Sequence, residues 1–257
     1  MHQTSFIQKI IKSLTPVFIF IILSFSSATL IAQTQPPFSF IAIGDTPYSE
    51  VENTRIKEHI STAIKEANPP FLVHYGDFKG GGEACTQELL IKRRDEVYGL
   101  LPGRVFYTPG DNEWTDCDRS FLNPAVSELE SLAFLRNIFF NKPMELPEEW
   151  AYSRQPNFPE NARWMKNNIF FVTVHLVSTN NGSMEILLDD IELALALVNA
   201  RNQANRVWLE DSFKVALKAG AKAMVIVTQA DVTSPEAVLA TATIECIATP
   251  SKIFATT

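Results

Sequence analysis

Three short acidic turns hold the residues of this chain with the clearest chemical capacity. Each joins a glycine to an aspartate, as Gly44-Asp45, Gly76-Asp77 and Gly110-Asp111. An apolar run that predicts a buried strand comes before each turn. Parallel strands ending in Gly-Asp bring their carboxylates to one edge of a sheet, where open α/β folds bind ligands. Because clustered carboxylates repel one another unless a cation holds them, the pattern predicts a metal site.

The elements that position these turns alternate between strand and helix. Strands are predicted over 38–43, 71–75 and 105–107, and helices over 51–67 and 86–98. In the first helix Ile56, Ile60 and Ile64 recur every four residues, which is typical of an inward face. The βαβαβ order predicts an α/β fold with parallel strands and helices packed on the sheet faces.

The later part of the chain is more irregular. Residues 114–164 contain several prolines and are predicted to be loops around one helix over 127–140, an excursion typical of a wall over a site. A strand is predicted over 168–177 and another over 223–228. Between them lies a helix over 202–219, whose inward residues are predicted to be Trp208, Leu209, Phe213 and Leu217.

The first residues are typical of an export signal. Lys9 and Lys12 precede an apolar run over 17–25 and then small residues up to Ala32, so residues 1–33 are predicted to be a signal peptide. This predicts a periplasmic or extracellular protein without a stable membrane span after cleavage. The alternative is a retained N-terminal membrane anchor, since the segment approaches the length of a span.

The net charge and the cysteines restrict the kinds of partner and cross-link that the sequence predicts. The 257 residues carry 22 Lys and Arg against 29 Asp and Glu, for a net charge of −7, which disfavours nucleic acid as a partner. Cys85 and Cys117 follow two of the acidic turns at a similar short distance. They are predicted to form a disulfide that ties two site loops together, the alternative being two separate thiols. Cys246 is left over.

Along 38–231 the chain resembles the calcineurin-like metallophosphoesterase superfamily. That family has an Asp-x-His turn, a Gly-Asp turn, a Gly-Asn-His-Glu block, a His-bearing strand end and a final Gly-His-x-His. The resemblance implies a β-sandwich flanked by helices and a pair of divalent metal ions, with Mg, Mn, Ca, Fe and Zn all open. By position, Asp45, Asp77 and Asp111 become metal ligands, Asp77 as the bridging one, and Gln229 stands where the family has a ligand histidine.

The chain departs from the family where the family has histidines. Pro47, Asn112 and Gln229 replace them, and none follows His175, so the last motif is absent. One hypothesis is a divergent exported branch that holds Mg²⁺, Mn²⁺ or Ca²⁺ by oxygen ligands. The other is a truncated or altered end, with the last strands missing and 232–257 an atypical tail.

Further side chains near the turns have open roles. Asn112 is a predicted phosphoryl contact, although an amide cannot supply a proton. His175 is predicted either to contact metal or substrate or to pack in the core. Tyr48 and Lys79 are candidate substrate-binding residues, with packing under a turn and a solvated surface as their alternatives. Glu113 is predicted to brace its turn through backbone hydrogen bonds.

Together these features predict a metal-dependent hydrolase that acts on a small phosphate ester by metal-activated water. The alternative is a non-catalytic secreted binding domain, or a Ca²⁺-binding relic of the same fold.

Overall fold

The computed structural model describes residues 38–232, and these form a mixed α/β structure with two sheets. The predicted leader 1–33 and the tail from 233 onward lie outside the described residues. The strands are β1 Ile41–Ile43, β2 Leu72–His74, β3 Val105–Tyr107, β4 Ser153–Gln155, β5 Phe158–Lys166, β6 Ile169–Thr173 and β7 Ala223–Val227. The α-helices are α1 Glu50–Arg55, α2 Ser61–Ala67, α3 Gln87–Leu100, α4 Glu128–Phe139, α5 Ser178–Gly182 and α6 Ile191–Lys218.

The first sheet has the predicted parallel arrangement. Its order is β1-β2-β3, with Ile41 opposite Leu72 and Leu72 opposite Val105. The crossovers run through α1–α2 and through α3. All three residues of β2 and of β3 are buried, as expected for strands with cover on both faces. The three acidic turns therefore follow neighbouring strands at the same edge.

The second sheet contains two strands that the sequence did not predict. Its order is β4-β5-β6-β7, with antiparallel pairs up to β6 and a parallel pair between β6 and β7. β4 and most of β5 lie within 114–164, so the prediction of loops around one helix is wrong there. Pro159 is tolerated because it stands at the beginning of β5, and Arg163 and Lys166 obscure the apolar alternation.

Aromatic side chains from both sheets meet in one buried cluster. Phe71, beside β2, lies 4.9 Å from Phe171 of β6 between ring centroids. Phe106 of β3 stacks on Trp164 of β5 at 3.5 Å and 4°. Trp164 and Phe171 are fully buried. Since aromatic pairs contribute beyond the area they bury, this cluster holds the two sheets together.

The first predicted helix has an irregular centre. Ser49 accepts a hydrogen bond from the backbone of Glu52 and caps α1, but a π-helical turn, Ile56–Ile60, separates α1 from α2. Ile56 and Ile64 are buried as predicted, whereas Ile60 is 39% exposed. The wider turn rotates the chain away from regular α-helical spacing, which explains the error at Ile60.

The long helix α6 presents a different face from the predicted one. Trp208 is buried as expected and Leu209 packs partly against the core, but Phe213 and Leu217 are 45% and 79% exposed. The buried line continues through Ser212 and Ala216 instead. Small residues at this spacing let the helix lie close to the sheet. No helix within residues 38–232 is long and apolar enough to cross a membrane.

Candidate functional site

The turns after β1 and β2 have matching backbone shapes and are joined. Asp45 and Asp77 both adopt left-handed conformations, with φ of 52° and 56°. Aspartate tolerates this region better than most residues because its short side chain bonds locally. The backbone N–H groups of Asp45 and Thr46 donate to the carbonyls of Gly76 and Asp77 at 3.2 and 3.0 Å. The first two aspartates are thus held side by side.

The third turn approaches the second so closely that both need glycine. A Cβ on Gly76 would collide with the backbone of Gly110, and a Cβ on Gly110 would collide with the carboxylate of Asp77. Gly76 also has φ of 93°, which other residues rarely adopt. The backbone N–H of Asn112 then donates to Asp77 Oδ1 at 3.2 Å.

Glu113 braces this pair of turns, in agreement with its prediction. Its carboxylate accepts hydrogen bonds from the backbone of Asp77 at 3.0 and 3.1 Å and of Gly110 at 2.8 Å. The hydroxyl of Tyr107 donates to it at 2.8 Å. Glu113 is fully buried, and this burial raises the pKa of its carboxyl while the bonds from Gly110 and Tyr107 oppose the rise. Its oxygens are therefore committed to the backbone.

Neutral donors link the three aspartates into one cluster. The Tyr48 hydroxyl lies 3.1 Å from both Asp45 Oδ1 and Asp77 Oδ2. The Gln229 side-chain amide donates to Asp77 Oδ2 at 3.1 Å and to Asp111 Oδ1 at 3.0 Å. The sequence prediction that the carboxylates meet at one sheet edge is confirmed. We call Asp45, Asp77 and Asp111 the acidic cluster.

The negative charge of the acidic cluster has no ion-pair partner among residues 38–232. Burial, with the charges of Glu113 and Asp111, raises the pKa of Asp77 to about 10. Burial and the neighbouring aspartates also raise the pKa of the Tyr48 hydroxyl, which therefore keeps its proton and donates it. Binding of a proton or a cation to the acidic cluster is favourable, because it neutralises the carboxylates.

Gln229 turns its amide nitrogen, not its oxygen, toward the acidic cluster. Its Oε1 accepts from the backbone N–H of Ser178 at 2.8 Å. Ser178 in turn donates from Oγ to Asp111 Oδ2 at 2.5 Å. Sequence reasoning missed Ser178, although the polar run 178–181 after a strong strand was a signal. The left-handed residues of α5, such as Thr179 with φ of 55°, turn the chain back here.

The candidate substrate contacts Asn112 and Lys79 are inside the protein. The Asn112 side chain donates to the Lys79 carbonyl at 3.0 Å, and Lys79 Nζ donates to the carbonyl of Gly80 at 3.0 Å. Lys79 is fully buried, so the alternative of a solvated surface lysine is wrong. Cys85 and Cys117 form the predicted disulfide, which ties the segments after two acidic turns.

His175 lies in the core against Trp114, with ring centroids 5.4 Å apart. Its Nδ1 is 3.6 Å from Glu160 Oε1, and its burial lowers the pKa of the imidazole to about 4 although Glu160 opposes this. Within residues 38–232, neither ring nitrogen has a hydrogen-bond partner. The structure joins Asp45, Asp77, Asp111, Tyr48 and Gln229, and it leaves His175 outside their hydrogen bonds.

The donor chemistry of the acidic cluster fits a hard cation. Within the described part of the chain, no group of three or more His, Cys, Asp or Glu side chains is arranged to hold a metal ion. The uncompensated carboxylates nevertheless offer oxygen ligands of the type that Mg²⁺, Mn²⁺ and Ca²⁺ prefer. A bound cation would replace the hydrogen bonds that the Tyr48 hydroxyl and the Gln229 amide now donate to the carboxylates.

Comparison with protein-family models, curated proteins and solved structures finds no match to this chain.

Proposed function

We propose that this chain is a metal-dependent hydrolase of phosphate esters with a calcineurin-like metallophosphoesterase fold. The observation that carries the proposal is the acidic cluster: three Gly-Asp turns at neighbouring strand ends hold carboxylates together, and no cationic side chain within residues 38–232 forms an ion pair with them. Structural carboxylates in proteins are normally paired. Unpaired ones at the edge of a parallel sheet are typical of a ligand site.

The acidic cluster would hold the cation through Asp45, Asp77 and Asp111. A bound divalent ion polarises a phosphoryl oxygen and makes water a better nucleophile near neutral pH. The backbone bonds from Asn112 to Asp77 and from Asp77 to Glu113 fix the ligand geometry beforehand. Tyr48 and Gln229, once released from the carboxylates, can donate to a phosphoryl oxygen.

Among the described residues, neither Asn112 nor Tyr48 is suited to protonate the leaving group. Asn112 has an amide where a proton donor would serve, and Tyr48 holds its proton firmly because its pKa is raised. We therefore expect aryl phosphates, whose leaving groups need no protonation, to be hydrolysed much faster than alkyl phosphates.

An assay with p-nitrophenyl phosphate tests the proposal directly. The purified chain is stripped of metal and supplied with Mg²⁺, Mn²⁺ or Ca²⁺ in turn. We expect metal-dependent turnover that Asp77→Asn lowers at least about 100-fold, as expected on loss of a central electrostatic group. Glu145→Gln, which changes an exposed carboxylate, is the matched control. Equal turnover in Asp77→Asn and the control would exclude this site.

The donors from Tyr48 and Gln229 favour one further candidate, a non-catalytic binding domain. Here protein groups already satisfy the carboxylates, so the same cleft would bind Ca²⁺ or a polar ligand without turnover. Calorimetry that detects stoichiometric divalent binding, together with no hydrolysis of any aryl phosphate, would favour this second function.

We also propose that the protein is exported. The disulfide between Cys85 and Cys117 supports this, because such bonds persist in oxidising compartments and are rare in the cytosol.

A further inference from the structure

A cavity separate from the acidic cluster lies between α4 and the first half of α6. Its volume is about 270 Å³. Most of its wall is apolar, and the lining includes Leu132, Ala133, Phe158, Leu197 and Val198. No member of the acidic cluster lines it. We call it the α4–α6 cavity.

Three residues of this lining carry buried polar atoms that have no hydrogen-bond partner among the residues that the structure describes. They are Trp114 Nε1, Glu128 Oε1 and Arg201 Nε. The three side chains are 1%, 1% and 3% exposed. Buried polar groups in proteins nearly always have partners, so each such group calls for an explanation. Three around one cavity indicate a polar ligand group within it.

The charges of the lining indicate the sign of that group. Arg136 pairs with Glu160 at 2.6 Å. Arg201 has no ion-pair partner in the described part of the chain; its Nη2 donates to the carbonyl of Asn181, its Nε has no partner there, and its guanidinium lies over the Trp114 ring at 4.8 Å. A buried cation without a counter-charge is unfavourable. An anion would relieve this.

Glu128 does not exclude an anion from the cavity. Burial, with the charges of Asp118 and Asp189, raises the pKa of Glu128 to about 8. The carboxyl is therefore mostly protonated at neutral pH, and its proton is available as a donor. Two donors, Arg201 and Glu128, then flank an otherwise apolar space.

We propose that the α4–α6 cavity binds a small carboxylate with an apolar body, its carboxylate on Arg201 and its apolar part against Leu132, Leu197 and Val198. The size suits such a ligand, because an apolar cavity of about 150 Å³ holds benzene. The larger volume here accommodates a ring with a short acidic arm. Water alone would satisfy the polar atoms but not the apolar wall.

Calorimetric titration with 3-phenylpropionate and with its neutral amide separates these cases. We expect the carboxylate to bind at least about ten-fold more tightly than the amide, a factor that corresponds to about 1.4 kcal/mol. Equal affinity for the two would overturn the assignment to an anion. Absence of binding for both at millimolar concentration would mean that the cavity holds water only and would overturn the proposal.

Two variants locate the binding. Arg201→Met keeps the length of the side chain and should remove the preference for carboxylate over amide. Ala133→Trp fills the mouth of the cavity from an exposed position of α4, so it should abolish binding of both probes without disturbing the core. Asn137→Trp, on the same helix but outside the lining, should bind like the unmodified chain. Binding that survives Ala133→Trp would place the ligand elsewhere and refute the proposal. None of these three substitutions changes a residue of the acidic cluster, so the outcome is independent of the hydrolase assay.

Discussion

The acidic cluster and the charged group on the second sheet differ in how their carboxylates are neutralised. At the ends of β1–β3, Asp45, Asp77 and Asp111 share neutral donors. On β5, Glu160 faces Arg136 at 2.6 Å and His175 at 3.6 Å. We call Glu160, Arg136 and His175 the paired cluster.

The pKa shifts of the two regions differ in sign. Burial raises the pKa of Asp77 to about 10, with Glu113 and Asp111 adding to the effect. Burial acts on Glu160 in the same direction, but His175 and Arg136 outweigh it and lower the pKa of Glu160 to about 2. The paired cluster therefore stabilises the fold as a charged group, whereas the acidic cluster is stable only with a proton or a cation. The difference supports the proposal that the acidic cluster binds a ligand, whereas the paired cluster has a structural role.

The largest effect is expected from breaking the paired cluster. Glu160→Gln removes a fully buried carboxylate from the Arg136 guanidinium, and because Arg136 is itself 34% exposed the loss should be at most about 3–5 kcal/mol, the loss for a fully buried ion pair. Urea denaturation measures the change in the free energy of unfolding. Asp211→Asn is the matched control because Asp211 is 54% exposed, so its pair with Arg163 is worth under about 1 kcal/mol. Similar losses in both variants would contradict the comparison.

Removal of the disulfide should lower the free energy of unfolding and should increase local motion mainly in the segments after two of the acidic turns. The bond between Cys85 and Cys117 spans 32 residues. A loop of this length stabilises by about 3.7 kcal/mol in the chain-entropy estimate. The double variant Cys85→Ala/Cys117→Ala should lose that amount in urea denaturation, and a reducing agent should have no further effect on it. Hydrogen exchange that accelerates equally in β4–β6 would count against a local role.

The third prediction concerns pH in metal-free buffer. Asp77 has a higher pKa in the folded chain than its ordinary 3.8, so the folded state binds the extra proton. The contribution of Asp77 to stability is fully present below pH 3.8 and is lost as pH rises toward about 10, with a slope of up to about 1.4 kcal/mol per pH unit.

Asp77→Asn should flatten this slope when unfolding is followed at pH 5, 7 and 9. Added Ca²⁺ should flatten it in the unmodified chain, because the cation replaces the proton. Wild-type stability that increases over this range would show that Asp77 is not held in the protonated form.

The smallest effect is expected at Tyr48. Tyr48→Phe removes the donor shared by Asp45 and Asp77, and the loss should be about 0.5–1.5 kcal/mol because the side chain is partly exposed. Divalent binding should change as well, since a competing donor is gone. Tyr98→Phe, which loses a hydrogen bond to a backbone carbonyl, should leave divalent binding unchanged. Calorimetry compares the two, and unchanged binding in Tyr48→Phe would separate Tyr48 from the site.

The sequence predicted the first sheet and its turns because their signals are local. Short apolar runs followed by Gly-Asp specify strand, turn and edge within a few residues, and Cys85 and Cys117 lie close behind. The second sheet depends on distant partners. β4 and β5 have few apolar alternations, and their pairing with β6 is decided by aromatic contacts across the core.

The parts of the site that could not be predicted from the sequence depend on the direction in which individual side chains point in the folded chain. Ser178 is the first residue of α5 and donates to Asp111, which lies 67 positions earlier in the chain, so no local pattern indicates this partner. The direction of the Gln229 amide is decided by the backbone of Ser178, a partner far along the chain. The buried state of Lys79 similarly follows from packing around its loop and was not predicted, because the three glycines that follow it indicate exposure.

The contact between Gly76 and Gly110 has a consequence for protein engineering. Neither acidic turn can be transferred alone into another scaffold. Each turn packs directly against the glycine of the other, so the shape of one depends on the presence of the other. A successful graft must carry both loops, the strands that set their separation, and Glu113 between them. The unit of transfer is therefore a three-strand fragment.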